Sequence, residues 1–530
     1  MTTHPFQVAQ AHDSGRSFDD LNSVILGAFR RFSDSILLQS ATGETYTGSQ
    51  LEAEVARYVA ALTELGVGPG NRVALLAANS VEVLFVQNAV GFLGAAFVPL
   101  HPMGSPSDFA NILQDADVET VVVSEQRRSQ IQQAVEISAS SARVLTLGGG
   151  GAEDLVKLAA GQESNKVTLR ELDPESIYRV TYTGGTTGFP KAALASFRSM
   201  ATMYGITISD WQWPKEPRTL LCAPLSHAGA ISFMPTIAHG GTMYVEPGFD
   251  PVSVLASIER NRITCVLLVP TMINALLDHP RLQEFDVSSL ETVFYGASPI
   301  SPTRLKAAIA HFGPVFFQFY GQAEAPTTLT IMRREEHDVM SDGRLSSCGR
   351  PVPEAQIRMV DADDQEVPDG EPGELCVRGP LVMSGYLNRP EETAEVFRNG
   401  WLHTGDIAVR DPDGYLRIVD RAKEMVITGG FNVYARAVED VLEEHPGVAS
   451  ASVFGVADEH WGEIVVAAVV REDPGTTAEE IMAYVRERKG PVQTPKSIKF
   501  VPEIPLTAVG KRDKKELKRG WADEPTERTK

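Results

Sequence analysis

Alternation of helix-spaced and strand-spaced apolar runs limits this chain more than any other feature. Residues 51–65 carry apolar side chains at helical spacing, and Gly66-Val67-Gly68-Pro69-Gly70 stops them. Arg72–Leu76 reads as a short strand, Val81–Phe92 as a helix and 95–99 as a strand, and 118–123 is a continuous apolar run of the buried-strand type. The alternation returns between Tyr178 and Tyr320, through 265–269 and Thr292–Tyr295. Strands that alternate with helices predict an α/β fold, with a mostly parallel sheet and helices on its faces.

The texture changes at residue 341. Short strands separated by Pro, Gly and Asp fill 341–420, at 357–360, Gly373–Arg378 and 415–419, which predicts a small β-barrel-like subdomain. Beyond Asp420 an α+β segment has its own helices (438–444, 478–489) and strands (450–456, 464–470). A chain of 530 residues is too long for one core. We therefore expect a large N-terminal domain over 1–420, with 341–420 as its β-rich part, and a small domain over 421–530. Gly148-Gly149-Gly150-Gly151 follows the strand-like Arg143–Leu147, but a dinucleotide fingerprint would need glycine where Glu153 stands, so this run is expected to be a flexible surface loop between subdomains.

Lys plus Arg number 48 against 69 Asp plus Glu, a net charge of −21 that argues against a nucleic-acid or anionic-membrane partner. The four cysteines, Cys222, Cys265, Cys348 and Cys376, are far apart and form no zinc or disulfide spacing, as expected of a reducing, cytoplasmic setting. No apolar run approaches ~18 residues, the N-terminal stretch lacks a basic start and apolar core, and Arg528-Thr529-Lys530 is no lipidation or sorting address.

Tyr182-Thr183-Gly184-Gly185-Thr186-Thr187-Gly188-Phe189-Pro190-Lys191 follows a strand-like stretch at 176–181. Glycines let successive N–H groups point into one concavity, threonines add hydroxyls and the lysine adds a point charge, which together suit phosphate. Phe-Pro between Gly188 and Lys191 rules out a Walker A loop, and a plain Gly/Thr turn is the alternative.

The motif resembles the phosphate loop of the adenylate-forming superfamily: acyl- and aryl-CoA synthetases, peptide-synthetase adenylation domains and luciferases. Further resemblances follow in the family's order. They are Tyr320-Gly321-Gln322-Ala323-Glu324, then Gly373-Glu374-Leu375 with Gly379, then Trp401-Leu402-His403-Thr404-Gly405-Asp406. Asp420-Arg421-Ala422-Lys423-Glu424 with Gly430 and Asn432 comes next, and Pro505-Leu506-Thr507-Ala508-Val509-Gly510-Lys511 last. The likeness runs from about Leu21 to Leu517 and is greatest to a stand-alone, AMP-forming acyl-CoA synthetase.

The resemblance implies a two-step ligase. A carboxylate attacks the α-phosphorus of ATP, and a thiol, usually that of coenzyme A, then displaces AMP. It implies that Thr183, Gly184, Gly185, Thr186, Thr187, Gly188 and Lys191 hold phosphates, that Glu324 ligates Mg²⁺, and that Tyr320 with Gly321 and Gly296-Ala297-Ser298-Pro299 contacts adenine. Asp406 takes both ribose hydroxyls, Arg421 joins the nucleotide site, Lys511 drives adenylation and His227 stands beside the acyl carboxylate. Asp420 is the hinge of the small domain, and Gly429 and Gly430 line the thiol channel. No bound transition metal is expected.

The acid pocket is expected near His227, Ala228, Gly229, Tyr295, Ala297, Gly321 and Ala323. No aspartate follows His227 to pair with an amine, so an uncharged acid body is expected. The small residues Ala228, Gly229, Ala230, Gly296 and Ala297 are read as leaving room for a long, aryl or cyclic group. Gly184, Ala323, Ala435 and Ala437 depart from the family pattern, and Ala323 removes a hydroxyl near the α-phosphate. The expected partners are a carboxylic acid, ATP and CoA; a carrier-protein thiol as acceptor, a homodimer and a non-catalytic acyl or nucleotide sensor stay open as alternatives.

Overall fold

A computed structural model describes residues 20–163, 166–183, 190–422, 424–428, 431–458, 461–507 and 512–522. The expected helices and strands form with few boundary changes. The first long helix spans Gly48–Glu64, three residues earlier than its apolar spacing begins, because Thr47 accepts from the Gln50 N–H and the Gln50 side chain returns a bond to the Thr47 N–H. Val81–Phe92 starts under a Ser80 cap and is buried on nearly every side, as its apolar sequence requires.

Among the described residues the large part holds two mixed sheets. In one, Ile177–Thr183, Ala96–Pro99, Arg72–Leu76, Thr120–Ser124 and Arg143–Leu147 run parallel in that order, and Lys191–Ser196 and Gly385–Tyr386 add antiparallel at one edge. In the other, Phe316–Gln322, Thr292–Tyr295, Cys265–Leu268, Arg218–Leu221, Thr242–Val245 and Ile36–Gln39 run parallel, flanked by antiparallel edge strands. The parallel strands are almost wholly apolar because helices cover them. A third, antiparallel sheet joins Gln356–Val360, Gly373–Arg378, Trp401–Arg410 and Leu416–Arg421.

The glycine run does not divide subdomains. It joins Arg143–Leu147 to the helix Leu155–Ala160, and the Asp154 carboxylate gathers it by accepting from the N–H groups of Gly148 (3.1 Å) and Gly150 (2.7 Å).

Past Arg421 a separate core begins. Val448–Asp458 pairs antiparallel with Gly462–Arg471, which pairs parallel with Ser497–Phe500. Val453, Val465 and Ala467 face the helices Ala435–Glu443 and Ala478–Gln493, while Phe454, Val466 and Ala468 face Trp521. Glu439 is buried on the inner side of its helix. Lys514 Nζ (2.9 Å), Arg512 Nη1 (3.0 Å) and the Val453 N–H (2.8 Å) meet its carboxylate. Burial pushes this carboxyl up, but Lys514, Arg512 and Arg436 outweigh it and hold it below its ordinary range. No helix among the described residues is long and apolar enough to cross a membrane.

Candidate active site

The phosphate-loop motif is a hairpin connection. Ile177–Thr183 and Lys191–Ser196 pair antiparallel with Thr183 opposite Lys191, and the Thr183 hydroxyl donates to the Lys191 carbonyl (3.2 Å). The two ends of the loop are therefore clamped together. Gly184, Gly185, Thr186, Thr187 and Gly188 lie outside the described residues, as do Gly429, Gly430 and Lys511.

Across the cleft, Thr292–Tyr295 and Phe316–Gln322 are parallel neighbours, so their carboxyl ends open on one edge, where α/β sheets place ligands. Gly296-Ala297-Ser298-Pro299 leaves the first strand, and Tyr320 and Gly321 end the second. Ala297 holds φ +66°, a strained backbone for a residue with a Cβ. A Cβ on Gly296 would lie 2.3 Å from the Phe319 carbonyl oxygen, one on Gly321 2.6 Å from the Thr327 carbonyl carbon, and one on Gly229 2.2 Å from the Ala223 carbonyl oxygen. These glycines serve close backbone approach, and the space that the sequence reading assigned to substrate at Gly229 and Gly296 is filled by main chain.

Tyr320 donates its hydroxyl to Asp406 Oδ2 (2.6 Å), and Arg421 Nε meets Asp406 Oδ1 (2.7 Å). Burial and the neighbouring Asp406 push the Tyr320 hydroxyl well above its usual range, so it stays a donor. Asp406 lies within the strand Trp401–Arg410, 3% exposed. Its approach is set by Glu374, which accepts from the Gly405 N–H (3.1 Å) and pairs with His403 Nδ1 (2.8 Å). The fold thus gathers Glu374, Cys376 and His403, a cluster that linear spacing does not reveal; Arg398 Nη2 sits 2.5 Å from His403 Nδ1 and 3.1 Å from Glu374.

Glu324 is half-buried and accepts from the Tyr386 hydroxyl (2.8 Å), and Lys191 Nζ lies 5.2 Å over the Tyr386 ring. Tyr386 escaped the sequence reading; its one signal is the Gly385-Tyr386 pair, with Gly385 at φ +143°. Arg421 is raised first by Asp406, with Tyr320 and Glu324 adding to it, so the site's carboxylates surround one cation.

His227 stands at the start of the short helical turn Ala228–Ser232, with Ser226 Oγ 2.9 Å from its Nδ1 and the His101 ring edge-on at 4.5 Å. Burial, then His101 and Arg179, lower the imidazole to about 3, so it is neutral near pH 7. Ala228, Ala323 and Tyr320 pack on one apolar cluster with Ile231 and Met272. Tyr295 is not among them. It is wholly buried on the opposite face of its strand, and its hydroxyl meets His337 Nε2 at 2.9 Å. Strand alternation turns Phe294, not Tyr295, toward the cluster.

Asp420 is the penultimate residue of the Leu416–Arg421 strand, and it is buried. Its carboxylate accepts from the N–H groups of Arg421 (2.7 Å) and Ala435, the first residue of the helix Ala435–Glu443. Burial pushes its carboxyl up to about 7, against the pull of Lys514 and the two N–H groups. A raised carboxyl favours folding while protonated. The stability advantage of wild type over Asp420→Asn is therefore expected to fall as pH rises from 3.8 to about 7 and to level off above. Chemical denaturation across that range checks this; a pH-independent difference would refute it.

The profile of the AMP-binding enzymes matches residues 27–387, and that of the AMP-binding enzyme C-terminal domain matches 437–511. This chain belongs to the AMP-binding enzyme family. The expected adenylate-forming superfamily and its fold, a large N-terminal α/β part and a small C-terminal one, are borne out with it. This AMP-binding enzyme is 44% identical, over 94% of its length and 90% of the relative's, to a protein of Mycobacterium tuberculosis named medium/long-chain-fatty-acid–CoA ligase FadD8. It is 35% identical to a feruloyl-CoA synthase of an Amycolatopsis species, over 90% and 94% of the two chains. Among solved structures, the amide bond synthetase McbA of Marinactinospora thermotolerans superposes with a TM-score of 0.85 at 35% identity, covering 94% of this chain and 99% of that one.

Proposed function

We propose that this enzyme activates an apolar carboxylic acid, fatty or aryl, as its acyl-adenylate and passes the acyl group to coenzyme A. The observation that carries the nucleotide half is the Tyr320–Asp406–Arg421 clamp beside Lys191, Glu324 and Tyr386. An acid oxygen attacks the α-phosphorus, and the bond to the pyrophosphate oxygen breaks. The thiol, its proton lost to solvent, then attacks the acyl carbon, and AMP leaves.

In this reading the loop between Thr183 and Lys191 holds the phosphates, Asp406 accepts from the ribose hydroxyls, and Tyr320, Gly321 and 296–299 border adenine. His227, with Ala228 and Ala323, borders the acyl carboxylate, and neutral His227 can donate to it without drawing off Lys511. Glu324 fits Mg²⁺, being a half-buried carboxylate on the Tyr386 hydroxyl, whose ring Lys191 overlies, and the ion would neutralise phosphate charge when bound. Residues 1–420 and 421–530 act as two units that turn about Asp420, with Gly429 and Gly430 at the thiol's entrance.

The ligase names of two relatives support an apolar or aryl acid and a CoA acceptor. The amide bond synthetase gives a second reading, with an amine as acceptor. Pyrophosphate release over a panel of medium- and long-chain fatty, hydroxycinnamic and arylacetic acids tests the first step, and product analysis with CoA, amines or a phosphopantetheine carrier tests the second. We expect release dependent on both ATP and acid, and a CoA thioester. No acid-dependent release would overturn the ligase, and an amide product would favour the second reading.

A further inference from the structure

Arg179 lies on the Ile177–Thr183 strand with no carboxylate partner among the described residues. Its Nη2 donates to the Ser226 carbonyl (2.6 Å), its Nε to the Thr181 hydroxyl (3.2 Å), and its guanidinium carbon lies 5.6 Å from the Phe97 ring centroid. The side chain is half-buried, and burial lowers its basicity, with Tyr204 and Tyr178 opposing.

Its neighbours among the described residues supply no carboxylate. Ser226 leads directly to His227, whose ring packs edge-on against His101. Arg127, which donates to the Pro102 carbonyl (2.6 Å), lies close enough to lower His101, as burial chiefly does. The paired imidazoles thus lie within electrostatic reach of two guanidiniums in a chain of net charge −21.

A half-buried cation without a counterion carries part of the cost of desolvating a charge, with nothing to offset it. Holding the Ser226 carbonyl needs only one N–H donor, which a neutral side chain supplies. A guanidinium adds a charge and a planar fork that matches a carboxylate. Its place matches that use, because Arg179, Thr181 and Thr183 share one face of a strand that leads from beneath Ser226 to the phosphate loop.

We propose that Arg179 is a substrate-binding residue whose guanidinium receives the carboxylate of the incoming acid beside His227, before activation. This rests on the acid-activating function proposed above. Capture there draws an anion into an acidic protein, and it favours the ionised acid over any uncharged molecule of the same shape.

The test uses the full chain with octanoate and ferulate, each with its primary amide as an uncharged match. Arg179→Gln keeps an N–H for the Ser226 carbonyl and loses the charge, while Arg179→Lys keeps the charge. In the glutamine variant we expect KM for the acid to rise at least about tenfold, with KM for ATP unchanged and the melting temperature not lowered. The preference for acid over amide in binding should collapse toward unity, and the lysine variant should regain most of both. An unchanged acid KM in the glutamine variant would overturn the assignment, as would acid and ATP KM rising together or a retained acid preference. A wild type inert toward both acids, and toward the wider panel, would instead overturn the proposed function.

Discussion

Asp406→Ala is expected to lower acid-dependent pyrophosphate release about a thousandfold, roughly 4 kcal/mol of transition-state stabilisation. The size follows from what the carboxylate does. It is 3% exposed, with one oxygen on Arg421 and the other on the Tyr320 hydroxyl. Two ribose hydroxyls bonding to it would each contribute about 1.5–3 kcal/mol, the range for bonds to a charged group. Fold stability should fall far less. Arg421 keeps 47% of its side chain in solvent and rehydrates when its partner goes, which leaves mainly the Tyr320 hydroxyl unmatched, a loss of about 1–3 kcal/mol. Asp406→Asn should fall between, since an amide keeps one acceptor but turns its NH₂ toward Arg421 or Tyr320. Steady-state kinetics in ATP with a thermal melt separate the two effects. A KM and kcat for ATP unchanged in the alanine variant would remove Asp406 from the nucleotide site.

Periodicity located Arg72–Leu76, Val81–Phe92, Thr292–Tyr295 and Gly373–Arg378 to the residue, because caps, glycines and apolar spacing act within a few residues. Pairings across the fold were not legible. Glu324 meets Tyr386 62 positions on, and Tyr320 meets Asp406 86 positions on. Only sheet topology brings them together.

Two errors share a cause of the same kind. The sequence places Tyr295 in the acid pocket, but a parallel strand is covered on both faces, so its apolar run does not say which face looks toward the site. Glycines at 229 and 296 suggest empty volume, yet main chain from Ala223 and Phe319 occupies it. Composition tells how large a side chain is, not what has moved into its place. Arg179 and His101 went unread for a similar reason: a cation matters when its neighbours fail to neutralise it, and neighbours are a property of the fold.

Lys511→Ala is expected to lower adenylation about a thousandfold while thioester formation from supplied acyl-adenylate stays within about threefold. Six basic residues end the chain's C-terminal motif: Lys511, Arg512, Lys514, Lys515, Lys518 and Arg519. A solvated basic face would explain all six without catalysis. The structure removes two from that explanation. Arg512 is committed to Glu439 (3.0 Å) and Glu443, and Lys514 to Glu439 (2.9 Å) and Glu424 (2.9 Å). Leu506 pairs with Arg512 as an antiparallel bridge, and the Asp513 N–H donates to the Pro505 carbonyl (2.7 Å). The chain after Lys511 is therefore anchored by an ion cluster around buried Glu439, and the chain before it is tied to that anchor by main-chain bonds, as must be so if one ammonium is to be delivered to one place rather than spread along a surface. Lys518→Ala, an exposed position on the same tail, is the matched control and should change neither step. A single-turnover assay of each half-reaction decides the matter. Equal losses in both steps, or equal losses from Lys511→Ala and Lys518→Ala, would return Lys511 to the solvated tail.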